Sequence, residues 1–256
     1  MKVYTYYNEI PGFDPSSERG MIDLWRRSWM LRGYEPIVLS DEDAIKHHKY
    51  DEFEAKMIKL PTVCGYDYEG SCYRRWLAFE IAAGDKPCLV GDYDVICYDR
   101  LNLPDNPDKP ILFTQSGKEQ TNIKNPLYFS DEDGAKRVSQ SPGSKPGDTH
   151  LWIIPCLAYG TKRHFINIVE ALFNHSLSSF DWYLDWNTPS RPHCSDQMIL
   201  TQNRFADLYT VDIQCKEVFT AGWETAKTVH YCNGAMNAAG LRPRQLHVNN
   251  LRPFFK

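Results

Sequence analysis

The sequence predicts an α/β domain with a mainly parallel central sheet flanked by helices, and three observations carry that expectation. The chain opens as strand, loop, helix, strand. A later apolar strand, Cys88-Leu-Val-Gly91, ends in two aspartates one residue apart. The 256 residues are 42% hydrophobic and 24% charged, enough for one large core.

Val3 to Tyr7 alternates and is rich in β-formers, which predicts the first strand. Asn8 to Ser17 carries Pro11, Gly12 and Pro15 and reads as a loop. Glu18 to Arg32 has Met21, Ile22, Leu24, Trp25, Trp29 and Met30 at near-helical spacing, with Gly33 as its stop. Glu35 to Ser40 is the second strand, and Asp41 is placed to cap a short helix through about Lys46. This β-loop-α-β order is that of a right-handed parallel unit, whose ligands sit beyond the carboxyl ends of the strands.

Asp51 to Leu60 reads as a helix stopped by Pro61. A helix is then expected over Ser71 to Gly84, with Ser71 as N-cap, Gly84 just past the end, and Arg74 and Arg75 in its first turns. Cations there oppose the helix dipole, so a structural role is mildly disfavoured. A guanidinium binds oxyanions bidentately, and either arginine suits a phosphate or an aspartate; the alternative is a solvated helix face.

Further strands are expected at Ile111–Thr114 and at 151–159, and a helix from Lys162 to about Asn174. Residues 130 to 141 begin as a short acidic helix, and Ser141 to Asp148 is the most linker-like segment. Residues 181 to 186 combine aromatic and acidic side chains, suited to sugar faces or to a core. Ser195 is a plausible cap for a helix whose first turn holds Asp196, so capping alone accounts for that aspartate. Residues 226 to 235 read as a strand delivering His230 into a turn with Gly234.

Composition narrows the function. A formal net charge of −4 argues against a general nucleic-acid binder. The start lacks the apolar core of a signal peptide, and no run of about 18 apolar residues exists to span a membrane. None of the eight cysteines forms a Cys-x-x-Cys pair, which argues against zinc; the even count permits disulfides, but the spread of the cysteines, several in apolar runs, favours reduced thiols in a soluble, cytoplasmic protein. A membrane stem outside this sequence is compatible with that reading.

The centre of the chemistry is Asp92-Tyr-Asp94. In extended backbone, residues i and i+2 point to the same side, so the two carboxylates can meet at one divalent cation. Mg²⁺ and Mn²⁺ take oxygen ligands and are commonly held by one or two carboxylates plus substrate phosphates. The bland alternative is a solvated turn. Tyr6 and Tyr7, ending the first strand, face the same crevice and suit a base, or equally the sheet edge.

An arginine-bearing helix, a strand ending in Asp-x-Asp, a later Ser195-Asp-Gln197 and His230-Tyr-Cys-Asn-Gly234 occur here in that order. This order resembles the GT-A class of nucleotide-sugar-dependent glycosyltransferases, closest to the small glycogenin-like and mannosyltransferase-like enzymes. No Lys-Pro-Trp follows Gly234, a departure from the glycogenin-like pattern. The resemblance implies a Rossmann-like single domain, with the nucleotide-sugar part at about 1–115 and the acceptor part at about 116–256. It implies Mn²⁺ or Mg²⁺ held by Asp92, Asp94 and His230, and donor contacts from Tyr6, Tyr7, Arg74, Arg75, Asp92 and Tyr93. Asp196 becomes the candidate base if the reaction inverts the anomeric centre, or a holder of donor or acceptor if it retains it. UDP-sugars are the favoured donors, GDP-sugars the second choice, and a glycan or glycoconjugate hydroxyl the acceptor. Two other classes use such aspartates differently. A metal-dependent phospho- or nucleotidyltransferase predicts a Gly-rich loop beside the first strand, where this chain has one glycine. A non-catalytic α/β module predicts nucleotide binding without metal, or none.

Overall fold

The computed structural model describes residues 1–11, 15–62, 65–115, 152–174, 194–203, 208–212, 214–217 and 222–231. The expectations for residues 130–148 and 181–186, and for the turn at Gly234, lie outside them.

The opening unit is as expected: β1 (Lys2–Tyr6), α1 (Pro15–Met30) and β2 (Glu35–Leu39), with β1 and β2 parallel. Gly33 takes a left-handed φ of 80° just after α1, a conformation that costs glycine nothing. Then come α2 (Asp41–Ala44), α3 (Tyr50–Met57), α4 (Tyr66–Ala82), β3 (Cys88–Gly91), β4 (Val95–Cys97) and β5 (Ile111–Gln115). They are followed by β6 (Trp152–Gly160), α5 (Lys162–Phe173), α6 (Asp196–Asn203), β7 (Thr210–Asp212), β8 (Cys215–Glu217) and β9 (Thr228–His230).

Three local expectations are corrected. Ser40, not Asp41, caps α2: its backbone is extended, and its N–H donates to Asp43 Oδ2 at 3.0 Å. Helix α3 ends at Met57, short of Leu60. Helix α4 begins at Tyr66 after Gly65 at φ 84°, so Ser71 lies inside it and Arg74 and Arg75 sit in its middle, away from the terminal dipole. The cause is Gly70, which reads as a loop residue. A Cβ there would stand 2.8 Å from Arg74 Nη2, the far end of a flexible side chain that can shift aside.

The main sheet has the order β2-β1-β3-β6-β5-β7 and is mixed rather than purely parallel. Strand β6 runs against both β3 and β5, while β1–β2, β1–β3 and β5–β7 are parallel. A second sheet, β4-β9-β8, carries three short strands.

Side-chain alternation divides the core in two. Tyr4, Val90, Leu112 and Ala158 face Trp76, Leu77, Phe165, Ile168 and Ile199 from α4, α5 and α6. Their neighbours Val3, Leu89, Phe113 and Leu157 face Leu24, Trp25 and Trp29 of α1 together with Val95, Ile96 and Val229 of the small sheet. The result is three layers, with α1 and the small sheet on one face and the remaining helices on the other. Helix α1 packs on one face and α4 on the opposite one, so the strand order reverses at β1. The crevice at the carboxyl ends of β1 and β3 is therefore a topological switch point. Gly91 is required there by a close approach: a Cβ would lie 2.5 Å from the Cys156 carbonyl oxygen of β6.

No helix among the described residues is long and apolar enough to cross a membrane. Cys72, Cys88, Cys97, Cys156, Cys194 and Cys215 are free thiols.

Candidate active site

Asp92 leaves the end of β3 with its N–H on the Cys156 carbonyl at 2.8 Å, and Val95 N–H closes a turn onto the Asp92 carbonyl at 3.1 Å. That turn presents Asp92 and Asp94 together. The chain then enters β4, which pairs antiparallel with β9, Val95 opposite His230. Tyr231 N–H donates to the Asp94 carbonyl at 2.9 Å and fixes the register. His230 Nε2 thereby lies 3.2 Å from Asp94 Oδ1 and 3.8 Å from Asp92 Oδ2. Asp92, Asp94 and His230 each offer a ligand atom, all within 4.8 Å of one another. Two carboxylate oxygens and an imidazole nitrogen make a donor set suited to Mn²⁺ or Mg²⁺. Burial raises the Asp92 carboxyl above its ordinary range, opposed by the Arg75 guanidinium and reinforced by the Asp94 charge.

Arg75 stands on the other side of Asp92. Its Nη1 pairs with Asp92 Oδ1, and its Nη2 meets Asp196 Oδ2 at 2.6 Å. Asp196 Oδ2 also accepts the Trp76 indole N–H at 2.8 Å, while Oδ1 accepts the Gln197 N–H at 2.7 Å. Asp196 is only 3% exposed, so these partners, not water, satisfy its oxygens. It opens α6 with the Ser195 carbonyl accepting from Ile199 N–H at 3.1 Å, the expected cap position.

Arg74 turns elsewhere. Its Nε donates to Glu54 Oε1 at 2.9 Å, its Nη1 lies 3.4 Å from Asp41 Oδ2, and its guanidinium covers the Tyr66 ring. Asp41 also accepts the Tyr6 hydroxyl and, at 2.6 Å, the Asn8 amide. Arg74 and Tyr6 thus tie α4, α3, α2 and β1 together. Burial and the adjacent Asp41 push the Tyr6 phenol well up. Tyr7 and Tyr93 meet edge to face with centroids 5.6 Å apart at the strand ends, and the Tyr93 hydroxyl donates to Glu18.

Of the residues singled out in the sequence, the structure brings together Arg75, Asp92, Asp94, Asp196 and His230. Tyr7 and Tyr93 form a neighbouring pair, and Tyr6 and Arg74 are engaged in the adjoining network. Three participants were missed. Trp76 holds Asp196. Glu217 on β8 meets His230 Nδ1 with Oε1 at 3.0 Å. Glu69 of α4 is buried near Asp196, and burial first, then the Asp196 charge, pushes its carboxyl up to about 8. Trp76 follows the recognised Arg75 directly, a signal that was available. A glutamate in a three-residue strand or beside a helical glycine gives none.

Residues 1–85 match a family model described as a domain of unknown function, DUF8765. No curated protein matches the sequence. Among solved structures, mouse xyloside xylosyltransferase 1 in its apo form is similar with a TM-score of 0.50 at 10% identity, over 91% of this chain and 99% of that one. The galactosyltransferase LgtC, in complex with donor and acceptor sugar analogues, is similar with a TM-score of 0.50 at 12% identity, over 98% of this chain and 95% of that one. The mixed sheet flanked by helices, matched across nearly the whole length of both, is the fold of the GT-A glycosyltransferases.

Proposed function

We propose that this chain is a metal-dependent glycosyltransferase that moves a sugar from a nucleoside-diphosphate sugar to a hydroxyl group of a glycan or glycoconjugate. The observation that carries the reading is the convergence of Asp92, Asp94 and His230 within 4.8 Å at the carboxyl end of β3, in a fold shared with a xylosyltransferase and a galactosyltransferase. UDP-sugars are the favoured donors, followed by GDP-sugars. One catalytic domain has its donor part at about 1–115 and its acceptor part at about 116–256.

Asp92, Asp94 and His230 would hold Mn²⁺ or Mg²⁺, which would supply Lewis-acid stabilisation of the charge on the leaving nucleoside diphosphate. Arg75 orients Asp92 toward that site and carries positive charge at the place where negative charge develops. Tyr7 and Tyr93 form the aromatic rim for the nucleotide. Asp196, with both oxygens already accepting from Arg75, Trp76 and Gln197, fits a holder of Arg75 and the reacting sugars better than a general base.

The test is thermal stabilisation by UDP, GDP, CMP and ADP, each with and without Mn²⁺. A ligand binding only the folded state adds about 2.7 kcal/mol at a hundred times its Kd, an easily read shift. One diphosphate that stabilises only with Mn²⁺ is the expected result. Stabilisation without metal removes Asp92 and Asp94 from the role, and no stabilisation by any of the four removes the donor site.

A further inference from the structure

We propose that Glu217 is a positioning residue for the metal site, holding the His230 imidazole by Nδ1 so that Nε2 is presented beside Asp92 and Asp94. This role rests on the metal reading above. Strands β8 and β9 are parallel, and Glu217 is the register partner of His230. Residues paired in this way project to the same side of a sheet. Both side chains are buried, and Glu217 Oε1 lies 3.0 Å from Nδ1.

A cation takes the lone pair of a ring nitrogen, so with one bound at Nε2 the remaining ring proton is on Nδ1, the nitrogen beside Glu217. Nδ1 then donates to Glu217, and Nε2 is the nitrogen turned toward Asp94 Oδ1 at 3.2 Å and Asp92 Oδ2 at 3.8 Å. A carboxylate on the far nitrogen of a ligating histidine fixes ring orientation and raises ligand basicity. The small sheet is thus the mount of the site: β4 follows Asp94, β9 carries His230, and β8 carries the group that sets the ring.

Two measurements on the full chain test this. In ¹⁵N-labelled wild-type protein loaded with diamagnetic Mg²⁺ and UDP, the His230 nitrogens should report the proton on Nδ1. In Mn²⁺ titrations read by electron paramagnetic resonance with UDP present, Glu217→Gln should bind Mn²⁺ about 10- to 100-fold more weakly than wild type. Its thermal midpoint identifies any loss due to unfolding, and the wild-type tautomer decides the matter in that event. An Nε2–H tautomer, or wild-type Mn²⁺ affinity in a folded Glu217→Gln, overturns the role of Glu217 alone. Wild-type protein that takes up no Mn²⁺ overturns the metal reading itself.

Discussion

Arg75 and Asp196 are 121 positions apart in the chain and meet at 2.6 Å between Nη2 and Oδ2. The same guanidinium pairs through Nη1 with Asp92, so one side chain joins α4, the end of β3 and the start of α6. Removing one partner of a buried ion pair leaves the others uncompensated, at a cost of about 3–5 kcal/mol. Arg75→Ala should lower stability by that amount in urea unfolding without divalent cation, and added Mn²⁺ should restore part of it through Asp92. Arg75→Lys should recover only a fraction, because an ammonium cannot reach both carboxylates as the planar fork does. Wild-type stability in Arg75→Ala would show that the bridge contributes nothing.

Asp94→Ala should fold normally yet lose Mn²⁺-dependent nucleotide binding. Its carboxylate lies beside His230 Nε2, whereas its backbone carbonyl, which anchors Tyr231, is retained by alanine. Calorimetric titration of UDP with Mn²⁺ reads the result directly. Unchanged metal-dependent affinity would remove the central claim.

Asp196→Asn places an amide where Arg75 and Trp76 both donate. Small misplacements of groups around a reacting centre can cost about 100-fold. Transfer should fall by about that factor while donor affinity stays near wild type, measured as kcat against the donor Kd. Full turnover in this variant would exclude Asp196 from both holding and proton transfer.

Glu69 gives a pH dependence of defined sign. Its carboxyl is raised from 4.5 to about 8 in the folded protein, so between those values the folded state holds a proton that the unfolded state has released. Stability then falls as pH rises, by about 1.4 kcal/mol per pH unit for a single such group. The contribution is fully present below pH 4.5 and lost above about 8. Glu69→Gln should therefore gain on wild type across that window and keep a constant advantage above it. Parallel stability–pH curves for the two proteins would contradict this.

The sequence disclosed the site along its local motifs. Alternation located β1 and a short apolar run located β3, and the turn after β3 is recognisable because its two aspartates lie one residue apart in the chain. Asp196 and His230 were placed by a capping position and a strand end. Long-range choices were not legible in this way. Arg74 and Arg75 are adjacent and chemically identical. Their opposite assignments, to Glu54 and Asp41 in one case and to Asp92 and Asp196 in the other, follow from which face of α4 each occupies. Gly70 disguised that face by suggesting a loop where the helix continues. The antiparallel direction of β6 is equally silent locally, since an apolar run reads the same in either orientation. Glu217 draws its meaning only from the strand laid beside it.

The pairing of β4 with β9 also has a consequence for how the protein acquires its site. Val95 and His230 are far apart in the chain, and bringing them into register closes a long loop before any contact compensates for it. Contacts of this kind form slowly and late. A chain emerging from the ribosome would display Asp92 and Asp94 long before His230 exists to join them. The complete cluster of Asp92, Asp94 and His230 is therefore a property of the finished molecule, and its assembly can serve as a reporter that β9 has docked.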